Sequence, residues 1–209
     1  MTPAQPPVIV AGKGPLALAI LEALAASGQA STQISLADPA AVAQVARSPL
    51  AGLVVVAPPP QERADFLQID DADLDAALEP FLDLFGALGV LSPAVIDGGA
   101  VVYVGHRGHL GTWGGTHEAA FSGAVAGLMR ALALETMGRG LRANVVATDL
   151  PDDQSRTPSE THLAQVADLT LFLLSPAAGA VSGELFLANR GASLRPREAR
   201  DRTPKEMAQ

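Results

Sequence analysis

The chain has 209 residues, of which 48% are hydrophobic and 17% charged, with a formal net charge of -8. That size suits one domain, and the apolar share is enough to build a core rather than a disordered chain. The acidic balance and the lack of a basic stripe argue against nucleic acid as a partner, and the absence of Cys excludes disulfides and thiolate metal sites.

In chain order, "PPVIVAGKG" is a β-branched run that stops at glycine, the signature of a buried strand. "PLALAILEALAASG" follows with helical spacing and ends at Gly28. "TQISLAD" predicts a second strand, and "PAAVAQVARS" a short helix with Pro39 in its first turn. "AGLVVVAPPP" is a third strand closed by prolines. "DADLDAALEPFLDLFGALGVLSP" is helical in period, with Pro80 marking either its start or a kink. "GGAVVYVG" is a fourth strand, "GHRGHLGTWGG" a glycine-rich loop, and "THEAAFSGAVAGLMRALALE" a long helix ended by "GRG". "LRANVVA" is a fifth strand, "THLAQVADLTLFLLS" a helix and "GELFLAN" a last strand.

Strands and single helices alternate, which predicts an α/β fold: a doubly wound, mostly parallel sheet covered on both faces. One Rossmann-like domain is expected over residues 1–195, with a flexible charged tail over 196–209. The four histidines, His106, His109, His117 and His162, lack H-x-x-x-H spacing, so no metal site is expected. No apolar run reaches the length of a membrane span, and "MTPAQPP" lacks the pattern of a signal peptide. A soluble, cytoplasmic protein without a membrane partner is the expectation.

The order of elements resembles the short-chain dehydrogenase/reductase family over almost the whole chain. The resemblance is carried by "AVAGLMRALALE" followed by "GLRANVVA", by "VSGELFLANRGASLR", by "GGAVVYVG" and by "LAGLVVVAPPP". It implies hydride transfer between NAD(P) and an alcohol or carbonyl, with a tyrosine acid/base, a lysine four residues later, a serine and an asparagine. Counting from "AGLMRALALE", the resemblance places the tyrosine on Glu118 and the lysine on Ser122. It places the serine on Gly105 or His106, and the asparagine near Phe81. All four roles are vacant. The one tyrosine, Tyr103, falls inside a predicted strand. Lowering a phenol pKa of about 10 requires a nearby cation, and none stands at that spacing. Glu118 also suits the first turn of a helix, where a carboxylate meets the positive end of the dipole, with Thr116 as N-cap. Trp113 reads equally as a core plug or an interface anchor.

Gly12, Gly14 and Ala17 fit G-x-G-x-x-A between a strand and a helix, and Asp38 follows at the distance of a ribose-binding acid. The family's own loop is T-G-x-x-x-G-x-G, against which Pro15 and Ala17 occupy glycine positions. Pro15 also removes a backbone N–H from an anion cradle. Between the first helix and "AGLVVV" the family has two further strand–helix units; this chain has room for one. The four residues therefore read as a vestigial nucleotide site. The chain itself is expected to bind no cofactor, with NAD or NADP held by a partner.

In the long helix, Phe121, Val125, Leu128 and Leu132 form a predicted core face, and Ala120, Ala124, Gly127 and Ala131 a second stripe of small residues that lets another helix approach. The family pairs this helix and the long one before it into a four-helix bundle between subunits. The expectation is a non-catalytic subunit that assembles with an active short-chain dehydrogenase as a heterotetramer, with a homo-oligomer as the variant. The alternatives are a divergent reductase that uses Glu118 and His106, or a scaffold for a small ligand.

Overall fold

A computed structural model describes residues 5–59, 64–111, 114–148 and 159–190. The expected tail and Trp113 lie outside them. Six strands form one parallel sheet in the order β2-β1-β3-β4-β5-β6. They are β1 Val8–Ala11, β2 Ser31–Ile34, β3 Leu50–Val56, β4 Val95–His106, β5 Arg142–Thr148 and β6 Leu185–Ala188. Five helices connect them: α1 Pro15–Ala26, α2 Pro39–Val45, α3 Asp71–Leu91, α4 Thr116–Glu135 and α5 Glu160–Leu174. As expected, one strand–helix unit lies between α1 and β3, so the sheet ends at β2.

The strands are β-branched because both faces of a parallel sheet are covered. Alternate residues of the central strands enter two separate clusters. Leu53, Val55, Val101 and Tyr103 pack under α3 and α4 with Leu84, Leu88, Phe121, Val125 and Met129. Val54, Val56, Val102 and Val104 pack under α1 and α5 with Leu16, Ile20, Leu163 and Val166. The helix starts follow local chemistry. Asp70 and Asp73 form a reciprocal capping box on α3, and Ser159 accepts from the His162 amide at the start of α5. Pro80 sits inside α3 and does not begin it; the helix continues for eleven residues beyond, to Leu91.

Two details of α4 depart from the sequence-based expectation. Its N-cap is Gly115, and Thr116 is the first helical residue, without a side-chain cap. Its fully packed face is Phe121, Val125, Met129 and Ala133, while Leu128 and Leu132 flank the cluster half-buried. The small-residue stripe is turned outward: Ala120, Gly127 and Ala131 are exposed and Ala124 is half-buried.

Arg142 anchors the far edge. Its guanidinium is buried and donates to the carbonyls of Leu173, Leu174, Ser175 and Ala178, closing the end of α5 and the turn after it. The Ser175 and Ala178 carbonyls also accept from the amides of Ala178 and Val181, so removing the guanidinium chiefly strips the Leu173 and Leu174 carbonyls of this donor. Arg142→Leu is expected to destabilise the fold by about 2–4 kcal/mol, read as a lower urea midpoint at unchanged slope.

Candidate functional site

The C-terminal ends of the strands, where a doubly wound sheet places its ligands, bring the sequence-derived positions together only in part. Tyr103 and Gly105 lie on the α3/α4 face of β4. The Tyr103 ring extends along the strand over Gly105: a Cβ at Gly105 would lie 2.5 Å from Tyr103 Cε1 and 3.0 Å from Ala57 Cβ. The phenol therefore occupies the space that a side chain at residue 105 would take. Tyr103 is 4% exposed, and its hydroxyl has no hydrogen-bond partner among the described residues. Burial, with the Glu118 carboxylate adding to it, holds the phenol well above its ordinary pKa. At neutral pH it is a donor with no acceptor among the described residues.

Glu118 is in the first turn of α4, and Ser122 donates to its Oε1 at 3.1 Å. The two residues at the resemblance's tyrosine and lysine positions are thus bonded to each other. The turn after β4 is pressed against them: a Cβ at Gly108 would meet the Glu118 carbonyl oxygen at 2.7 Å and Ser122 Oγ at 2.8 Å. Neither of the chain's lysines, Lys13 and Lys205, falls in α4. Phe81, at the asparagine position, packs edge-on against Phe121 with ring centroids 6.4 Å apart. It is an apolar filler and offers no polar group to a proton relay.

His106, the other residue at the serine position, follows the alternation of Val102 and Val104 toward the α1/α5 face. Its register partner on β5 is Thr148, which meets α5. Thr148 Oγ1 donates to the Ala188 carbonyl at 3.1 Å, so His162 Nε2, 2.8 Å away, donates to Thr148. His106 Nε2 is buried without a partner among the described residues. His106 and Glu118 thus belong to opposite faces of β4 and do not form one acid/base pair.

At the first turn, Gly12 has φ 135° and a Cβ there would lie 2.7 Å from the Val56 carbonyl oxygen, so this glycine seats β1 against β3. Gly14 precedes α1 at φ 90° with open space beside it, and Ala17 is buried in the helix. Pro15 is the first helical residue. Asp38 is committed as a cap: its Oδ1 accepts from the Ala40 and Ala41 amides, each at 3.0 Å. In front of this turn is a cavity of about 410 Å³, within the usual range for a small-molecule site. Its wall is mainly apolar, from β1, β3, Tyr103 and Phe121. Lys13 lines one side, and Glu79 and Asp83, one turn apart on α3, line the other. A neighbouring hollow of about 130 Å³, bounded by His117 and Glu118, shares the Phe121 and Ala57 wall.

These residues do not fit a dinucleotide. A pyrophosphate here has a cradle shortened by Pro15, a ribose acid already used as a helix cap, and two carboxylates on the α3 wall. The sequence places Tyr103 inside a strand without marking it as a site residue, and it does not single out Glu79 or Asp83. The available signal was the sole tyrosine two residues before a glycine in one strand, since residues i and i+2 share a face.

No protein-family model and no curated protein matches the chain. Solved structures do. A short-chain dehydrogenase/reductase from Brucella melitensis, described as a glucose/ribitol dehydrogenase, superposes with a TM-score of 0.75 at 20% identity, over 89% of this chain and 95% of its own. A short-chain dehydrogenase/reductase from Serratia marcescens gives 0.73 at 21%, over 92% and 100%. A short-chain oxidoreductase from Pseudomonas aeruginosa, described as containing an atypical catalytic center, gives 0.78 at 15%, over 92% and 99%. The chain therefore has the short-chain dehydrogenase/reductase fold.

The orphaned phenol has a measurable cost. Tyr103→Phe removes a buried donor without a partner while keeping the ring. It is expected to raise stability by about 1–2 kcal/mol in chemical denaturation.

Proposed function

We propose that this chain is a non-catalytic subunit with a short-chain dehydrogenase fold, which assembles with an active, NAD(P)-dependent dehydrogenase of the same fold. The observation that carries the reading is the pairing of Glu118 with Ser122 beneath an open two-helix face. At the positions where the resemblance puts an acid/base and its tuning cation, the two side chains satisfy each other. Outside them, α3 exposes Leu82, Phe85 and Val90, and α4 exposes Ala120, Gly127, Ala131 and Leu134. Exposed apolar surface on adjacent helices is a cost unless another chain covers it. Small residues along α4 admit a facing helix at close range. The catalytic cofactor belongs to the partner in this reading, and the assembly is a heterotetramer with two copies of each chain. A homo-oligomer would bury the same face and is separated from it by the test below.

Gly127→Leu tests the seam. A Cβ at Gly127 meets nothing within 4 Å in this chain, so leucine is tolerated by the monomer. Replacing a helical glycine should even stabilise it, by up to about 1 kcal/mol. Across a close-packed seam the same side chain costs on the order of 1–3 kcal/mol or more. The expected outcome is a monomer that melts no lower than the parent yet fails to co-purify with an active short-chain dehydrogenase from its native source. A parent protein that runs as a lone monomer in native extract overturns the reading; a parent that pairs only with itself replaces it with the homo-oligomer.

Calorimetry of the isolated chain with NAD and with NADP tests the cofactor assignment. No binding in the micromolar range is expected. A micromolar Kd, about -8 kcal/mol, would require a complete cradle and would refute it.

A further inference from the structure

The 410 Å³ cavity keeps the shape of a ligand site after its dinucleotide features have gone. Two independent observations describe what it would accept. The first is Tyr103. Its ring is part of the cavity wall, and its hydroxyl is buried with no partner among the described residues. Nearly all buried polar groups in proteins are hydrogen-bonded, and an orphan at the ligand end of a sheet asks for an acceptor supplied from outside the chain. The second is charge. Glu79 and Asp83 line the α3 side, one helical turn apart, and Lys13 is the one cation among the described lining residues. The rest of the wall, Ala11, Val55, Ala57, Leu84 and Phe121, is apolar.

We propose that this cavity binds a compact, largely apolar cation: a molecule with a hydrogen-bond acceptor for the Tyr103 hydroxyl at one end and a protonated amine for Glu79 and Asp83 at the other. An aromatic ketone bearing an aminomethyl group is the simplest member of that class. The carbonyl satisfies the orphaned phenol, the ring packs on Phe121 and the valines, and the ammonium pairs with the α3 carboxylates. The same arrangement disfavours anions, because a carboxylate or phosphate at the amine's place would face two like charges. Binding alone is proposed; no bond is made or broken. The inference stands apart from the subunit reading, since a non-catalytic chain and a catalytic one could each hold such a ligand.

The test uses three isosteric probes on the full chain: 4-acetylbenzylamine, 4-ethylbenzylamine, which lacks the acceptor, and 4-acetylbenzoate, which reverses the charge. The chain has a single tyrosine, so ring-labelled tyrosine gives one set of NMR signals that reports on Tyr103 alone. The expected result is that 4-acetylbenzylamine shifts those signals. It should also bind about tenfold or more tightly than either other probe, the effect of one lost polar contact of about 1.4 kcal/mol. Tyr103→Phe should abolish the preference for ketone over ethyl while the amine is still preferred to the carboxylate. The double variant Glu79→Gln/Asp83→Asn should do the converse. Thermal melts of each variant, alone and without probe, confirm that the fold is kept. Absence of a tyrosine shift at millimolar 4-acetylbenzylamine overturns the proposal. So do equal affinities for the three probes, or preferences that survive the substitutions meant to remove them.

Discussion

A parallel sheet has no solvent-facing side, and this constraint governs where every polar group at its ligand end can go. The central strands must be apolar on both faces for most of their length, as β3, β4 and β5 are. Polar exceptions such as Arg142 and Asn144 at the start of β5 are buried with their own hydrogen-bond partners, and the last residues of the strands lie under the first turns of helices. Any polar side chain there is desolvated. It must find a partner in the chain, receive one from a ligand, or carry the cost of having none. The chemistry that a fold of this type can perform is decided by how those few groups are partnered.

In this chain most of them have been taken up by structural duties. Asp38 caps α2, Ser122 and Glu118 bond to each other, Thr148 joins His162 to the last strand, and Gly12 seats one strand against the next. Each duty is a local hydrogen bond or close contact with a clear benefit to the fold. Together they leave a scaffold in which the side chains at those positions serve the fold. Tyr103 and His106 are the exceptions on the two faces of β4: both end on buried atoms without a partner among the described residues. Unsatisfied groups point to a ligand more directly here than the motif positions do, because the fold gains nothing from them.

The alternation of strands and helices, the single strand–helix unit before β3 and the outward turn of the small-residue stripe were all legible in the sequence, since each rests on period and length. Finer features were not. Thr116 has the right chemistry for an N-cap, yet the cap is Gly115 and the helix begins one residue earlier. Leu128 and Leu132 are the larger side chains, but Met129 and Ala133 face the sheet; a rotation of one residue, about 100° around the helix, separates the two readings. Asp38 matched a ribose-binding pattern, and the amides of Ala40 and Ala41 show that it serves as a helix cap. The cavity was out of reach because Glu79 and Asp83 are far from Gly12 and Tyr103 in sequence, and the packing of α3 over the strand ends brings them together.

Gly105 sets a direction on how such a site can change. It is one of two residues at which the resemblance allots the family's serine, and the Tyr103 ring now fills the volume a side chain would need there. With the Cβ of any replacement only 2.5 Å from that ring, a serine at residue 105 requires the phenol to move. A side chain at residue 105 therefore has to follow a move or a shrinking of residue 103. Substitution at residue 105 alone meets the Tyr103 ring, so the two positions are coupled and the order in which they change matters.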